Sequence, residues 1–346
     1  MNTKERILWI DVCKFFGIFA IYLGHYGAVA GKLYSFVFVY HVPLFFFLSG
    51  CLEKKKNENF KAFFLNKTEK ILIPWLIFCT LCLFLCEMNA ELTLTNLHDI
   101  GIGILKGCVR NNFFAGSLWF LTALFIMQNI CYFIRKIPYT WVIIAIALVF
   151  SFAGNIVLPY AGITYPSLWW NVDSVMRYLI FYVIGYISFP HLNKLLATKE
   201  KKYIIFKNGL FLISICYAGC LYMGKDIFSP LFKIPIISLI ISIVKILIII
   251  YCNIILAYFF SNVGLFQYIG QNTLWLCGAE YGIKLITPQL LAIVGLGFSI
   301  VSPLGALLIT FIMLLAAMKT LVPIEKGIYD RLMDGIELCV QKNKAS

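Results

Sequence analysis

The sequence predicts an all-α fold: a polytopic transmembrane helical bundle of about ten spans with both termini cytoplasmic. Three observations predict it. Of 346 residues, 61% are hydrophobic and 13% are charged, against roughly half and a quarter in an ordinary soluble domain. Apolar runs of about 20 residues, the length that crosses a bilayer's hydrocarbon, recur along the whole chain. The basic residues crowd alternate connections between those runs, as the positive-inside bias of membrane proteins requires.

The first run, 7–26, ends near Ala28-Val29-Ala30, which resembles a signal-peptide cleavage site. Asp11 and Lys14 interrupt its core, however, and it is longer than a typical signal core, so it reads as a span. The others fall at 35–52, 71–88, 117–134, 140–158, 174–190, 203–223, 234–260, 266–287 and 290–318. The eighth is long enough to require tilt or a break. With the N-terminus inside, 20 of the 29 Lys and Arg fall on inner segments. Six fall outside (Lys32, Lys106, Arg110, Lys225, Lys233 and Lys284), and Lys14, Arg177 and Lys245 lie within spans.

The longest outer connection, 89–116, has room for an interfacial helix near 97–105. Residues 1–322 then form one transmembrane domain, and 323–346 a short cytoplasmic tail, helical and polar. The net charge of +13 is accounted for by sidedness, so no nucleic-acid partner is expected. The partner implied directly is the lipid bilayer. The 12 cysteines are scattered. Cys79 and Cys82 form a CxxC inside an apolar run with no second pair, which reads as buried thiols rather than a metal or redox site.

Ionisable side chains inside spans are costly and mark functional sites. The first span carries Asp11, Lys14 and His25. Asp11 and Lys14 are one turn apart and can pair. Lys14 and His25 are three turns apart on nearly one face, about 16 Å along the axis. The second span runs back and places His41 in the same outer half, so the two histidines can meet. Imidazole moves protons near neutral pH, which points to acid–base chemistry. Asp173, Arg177 and Glu280 also fall in the outer half, where they would orient a histidine or form ion pairs. Lys245 lies mid-span and needs a buried acid, with Asp11 or Glu280 the available ones. The segment 160–170 holds Tyr160, Tyr165, Trp169 and Trp170, a lipid-interface belt or a sugar-stacking surface. The basic run from Lys54 to Lys61, followed by Lys67 and Lys70, reads as a positive-inside signal and equally as a phosphate cradle. His98 and His191 read as surface residues.

In this order the pieces resemble the acyltransferase-3 family of membrane O-acyltransferases. The resemblance rests on Asp11, Lys14 and His25; on Tyr40-His-Val-Pro-Leu-Phe-Phe-Phe-Leu-Ser-Gly50; on Lys67 and Lys70 before Ile73-Pro-Trp75; on Ser117-Leu-Trp-Phe-Leu121; on Arg177, Phe181 and Gly185; and on Ile269-Gly-Gln-Asn-Thr-Leu274. Relatives usually carry Arg where Lys14, Lys67 and Lys70 stand, and many carry His near Glu280.

The resemblance implies an acyltransferase of the cytoplasmic (inner) membrane. It would transfer acetyl from acetyl-CoA, without a metal, to a hydroxyl of a cell-surface polysaccharide or its lipid-linked precursor. It makes His25 the first candidate base, with His41 and Glu280 next. It assigns donor binding to Lys14, Lys67 and Lys70, with Asp11, Arg177 and Asp173 supporting. Two alternatives fit the spans and buried charges alone: a transporter or flippase for a lipid-linked saccharide, and an acetyltransferase for a small molecule.

Overall fold

In the computed structural model, residues 6–53, 58–88, 94–113, 115–228, 234–293 and 302–345 are described, and among them there are helices and no strands. Backbone polar groups in hydrocarbon must be satisfied within the segment, which leaves apolar runs of this length little choice but to be helical.

The order is α1 (Leu8–Gly24), α2 (Lys32–Cys51), α3 (Phe60–Lys67), α4 (Ile73–Met88), α5 (Leu94–Leu105), α6 (Trp119–Ile134), α7 (Thr140–Phe152) and α8 (Leu158–Tyr160). Then come α9 (Val172–Ala197), α10 (Lys201–Tyr222), α11 (Pro235–Phe259), α12 (Gly264–Gln271), α13 (Thr273–Ile293), α14 (Pro303–Lys319) and α15 (Leu321–Ala345). One π turn joins α3 to α4 and another joins α7 to α8. The expected interfacial helix is α5, three residues longer at its start than the sequence suggested. The tail from Pro323 belongs to α15, a single helix of 25 residues packed against α4, α13 and α14.

Among the described residues seven helical stretches are long and apolar enough to cross a membrane, so this is a multi-pass membrane protein. The other three expected spans correspond to α1, α6 and α13. α1 has 17 residues, α6 has 16, and α13 carries Glu280 and Lys284. These three, with α2, are the helices that enclose the cavities described below. An interior helix faces protein rather than lipid, so it tolerates polar residues that a lipid-facing one does not.

The packing explains several motif residues. Gly50 and Gly185 let α2 and α9 meet backbone to backbone. A Cβ on Gly50 would lie 2.0 Å from the Tyr182 carbonyl oxygen, and one on Gly185 would lie 2.1 Å from that of Phe47. Gly270 does the same for α12 against α1, at 1.7 Å from the Asp11 carbonyl oxygen. Small residues at such crossings replace the hydrophobic drive that lipid removes. Where α2, α6 and α9 converge, Arg135 forms a buried ion pair with Glu53, whose other oxygen accepts from Tyr182 Oη at 2.7 Å.

Two expectations are corrected. The ninth run is two helices, because the chain leaves helical geometry at Asn272 (φ −107°, ψ 16°) between α12 and α13. Lys245 pairs with Asp226, beyond the end of α10, and with neither Asp11 nor Glu280. α10 and α11 are sequence neighbours packed side by side, so Asp226 is the nearer acid.

Candidate active site

Two cavities lie along α1. The larger, about 610 Å³, is at the end where α1 finishes; His25, His41, Arg110, Trp119, Glu280 and Lys284 are among its walls. The smaller, about 230 Å³, lies farther back along α1 and includes Lys14, Phe45, Glu53, Lys67 and Phe120. A pocket of about 20 Å³ shares His25, His41 and Trp119 with the first and Ile21, Phe45 and Phe120 with the second.

His25 is the residue just past α1, the cap position of that helix. Its Nδ1 lies 2.5 Å from Glu280 Oε1. The carboxylate accepts, so Nδ1 carries the hydrogen and Nε2 is left as the basic nitrogen. Lys284, one turn on in α13, donates to the same Oε1 at 2.7 Å and to the Tyr22 carbonyl at 3.0 Å. Tyr22 Oη donates in turn to the Leu276 carbonyl at 2.7 Å. Glu280 is only 3% exposed, and a carboxylate so buried requires its partners' charge. The arrangement is an imidazole aimed by a carboxylate that a lysine holds in place.

His41 lies in α2, two residues before Pro43. Its Nδ1 donates to the Val37 carbonyl at 2.7 Å, so its Nε2 is likewise the unprotonated nitrogen. Phe38 packs against both imidazoles, edge-on to His41 at 4.9 Å and tilted to His25 at 6.4 Å. The two histidines therefore do meet on one cavity.

The smaller cavity holds two of the three lysines expected to bind the donor. Lys14 lies 3.8 Å from Asp11, whose other oxygen is bound more closely by Arg6 at 2.6 Å. Lys67 sits over the Phe63 ring at 5.0 Å. Lys70 is exposed and is not among the lining residues. The basic run 54–57 lies outside the described residues.

Asp173 and Arg177 stand apart from the histidines. Asp173 Oδ2 accepts from the backbone N–H of Ser167 and Leu168 at 2.7 and 3.2 Å and so fixes the turn into α9. Arg177 stacks on Tyr165 at 3.7 Å. Of the aromatic segment, Tyr160 is fully exposed, Tyr165 turns inward to the arginines and Trp170 packs on Trp75. The Cys79 and Cys108 thiols lie 3.7 Å apart, and both are buried. Among the described residues no three His, Cys, Asp or Glu side chains are grouped to hold a metal.

Sequence reasoning missed two members of the site. Lys284 was assigned to an outer connection, but it lies inside α13, and its i,i+4 spacing from Glu280 was the available signal. Arg110 was counted only as a loop charge. It is held by contacts distant in sequence, and no local pattern marks it.

A family model described as an acyltransferase domain matches residues 7–321, nearly the whole chain. No curated protein and no solved structure matches.

Proposed function

Because the chain belongs to the acyltransferase-3 family and is a membrane acyltransferase, we propose that it transfers acetyl from acetyl-CoA to a hydroxyl of a cell-surface polysaccharide or its lipid-linked precursor. The observation that carries this reading is the His25–Glu280–Lys284 chain at the wall of a cavity of about 610 Å³. Ester formation from a thioester needs a base for the hydroxyl proton, and His25 Nε2 is available for it. The freed oxygen attacks the thioester carbonyl, the carbon–sulfur bond breaks, and the coenzyme A sulfur takes the proton back from His25. Glu280 stabilises the imidazolium in between, as a carboxylate does behind a catalytic histidine.

The second cavity supports a place for the donor. Lys14 and Lys67 there suit the phosphates of coenzyme A, as charge-assisted contacts. The rise of α1 from Lys14 to His25 is about 16 Å, within the reach of an extended pantetheine arm of about 15–20 Å. An arm entering past Phe45 and Phe120 would bring the thioester to the histidines. In this reading the lysine cavity opens to the cytoplasm, both termini are cytoplasmic, and the membrane is the cell's inner one.

The test is acetyl transfer by purified protein in nanodiscs from labelled acetyl-CoA, with surface glycans of cells with and without the gene compared by mass spectrometry. Acetylated glycan present only with the gene is the expected result; an unchanged glycan profile rejects the acceptor class. Sidedness is read by thiol labelling in a background lacking the native cysteines. A cysteine at Asn111 should react from outside and one at Lys61 should not.

A further inference from the structure

Arg110 is a charged wall of the histidine cavity to which the transfer chemistry assigns no role. Its guanidinium stacks on Trp119 at 4.8 Å and on Tyr165 at 5.6 Å. Nη1 donates to Tyr165 Oη at 2.5 Å and to Tyr178 Oη at 3.1 Å, which uses both of its hydrogens. The Nε and Nη2 hydrogens point along one edge of the plane, and among the described residues they donate to nothing. That edge is the fork that matches a carboxylate or phosphate with two parallel hydrogen bonds.

No carboxylate among the described residues forms an ion pair with Arg110. Glu280, the acid of this cavity, is already engaged by His25 and Lys284. A half-buried guanidinium with aromatic faces and no counter-ion is costly unless something else supplies the negative charge.

The loop that carries Arg110 is also built to hold still. Asn171, fully buried, accepts from the Arg110 backbone N–H at 2.9 Å and donates to the Gly107 carbonyl and to Thr122 Oγ1, both at 3.0 Å. The Trp170 backbone N–H donates to the Lys106 carbonyl at 2.7 Å. Among the described residues, the four non-glycine positions with positive φ are Cys108, Asn111, Trp170 and Asn171. All four belong to this junction. Left-handed backbone at such residues persists only where the surroundings over-determine it, and it gathers at functional sites.

We propose that Arg110 anchors an acidic sugar of the acceptor, taking its carboxylate or phosphate on the Nε–Nη2 edge while a hydroxyl of the same saccharide is presented to His25. This deepens the acyl-transfer reading of the cavity and rests on it. Arg110 is then a specificity residue: it selects acceptors by charge and fixes which hydroxyl faces the base.

The experiment is binding of three probes to the full-length protein in nanodiscs at low salt, by titration calorimetry: methyl glucuronoside, glucose 1-phosphate and the neutral methyl glucoside. At least one anionic sugar should bind about 10- to 100-fold more tightly than the neutral one, the equivalent of one or two charge-assisted hydrogen bonds. Which anion does so assigns the oxyanion. Arg110→Gln should erase the preference, and Arg110→Lys, which keeps the charge without the fork, should retain part of it. Equal affinities for charged and neutral sugars in the wild type would overturn the proposal, whatever the variants do. So would a preference that survives Arg110→Gln, or no binding of either anion at millimolar concentration. Acetyl-CoA binding in the same preparation without sugar tests the acyl-transfer reading separately.

Discussion

The histidine cavity and the lysine cavity share α1 and differ in how firmly the candidate site residues are held. In the first, His25, Glu280 and Lys284 are joined by hydrogen bonds of 2.5 and 2.7 Å, and each atom has one place to be. In the second, Lys14 is 3.8 Å from its acid and Lys67 is held over a phenyl ring. Apolar residues such as Phe45, Phe120 and Leu124 make up much of the rest of that wall. Proton transfer depends on heavy-atom distances of a few tenths of an ångström. Binding a flexible polyphosphate needs positive charge within reach and tolerates loose placement. In the proposed reading, the difference means that chemistry and donor capture are separated along one helix.

The sharpest way to break that comparison is His25→Ala. It should lower acetyl transfer about 10²–10⁴-fold, the usual worth of a general base. Coenzyme A binding and melting temperature in nanodiscs should stay near the wild-type values. Near-normal turnover at normal stability would pass the role of base to His41.

Glu280→Gln comes next. The expected loss is about 10²-fold, because an amide neither holds the Nδ1–H tautomer as firmly nor stabilises the imidazolium. It also leaves the Lys284 ammonium buried without its carboxylate, which destabilises. Adding Lys284→Met should restore the melting temperature and leave the rate low. Recovery of the rate along with the stability would show that Glu280 serves only the ion pair.

Lys67→Ala should act on the other region and by another parameter. The KM for acetyl-CoA should rise about tenfold, the worth of one charge-assisted contact, while kcat at saturating donor changes little. An effect on kcat with unchanged KM would mean that the two cavities are not divided in this way. The smallest effect belongs to Lys70→Ala. Lys70 is exposed and outside the lining, so its KM change should stay within about twofold, as for an exposed charge. An equal rise for both lysines would move the donor's phosphates out of the cavity and onto the surface.

Much of this was legible in the chain alone. The spacing of Asp11 and Lys14 within one helix, with His25 at its end, follows from α-helical geometry, and the helix is where the apolar run put it. The meeting of His25 with His41 followed from counting turns on two antiparallel spans. Seven of the expected runs became lipid-length helices because composition and length decide that question locally.

What the sequence could not decide is which polar groups touch. Glu280 reaches His25 across 255 positions, and Lys284 looked like a loop charge until α13 was seen to continue past it. Lys245 found Asp226 rather than the acids within the spans, because the turn after α10 brings that residue alongside α11. Arg110 stands in the cavity because Asn171, 61 positions away, grips its backbone. Hydrophobicity is summed along the chain and can be read there. Hydrogen-bond partnership depends on distances across helix crossings, which are set by close approaches such as Gly50 on α9 and Gly270 on α1, and these exist only once the bundle has packed.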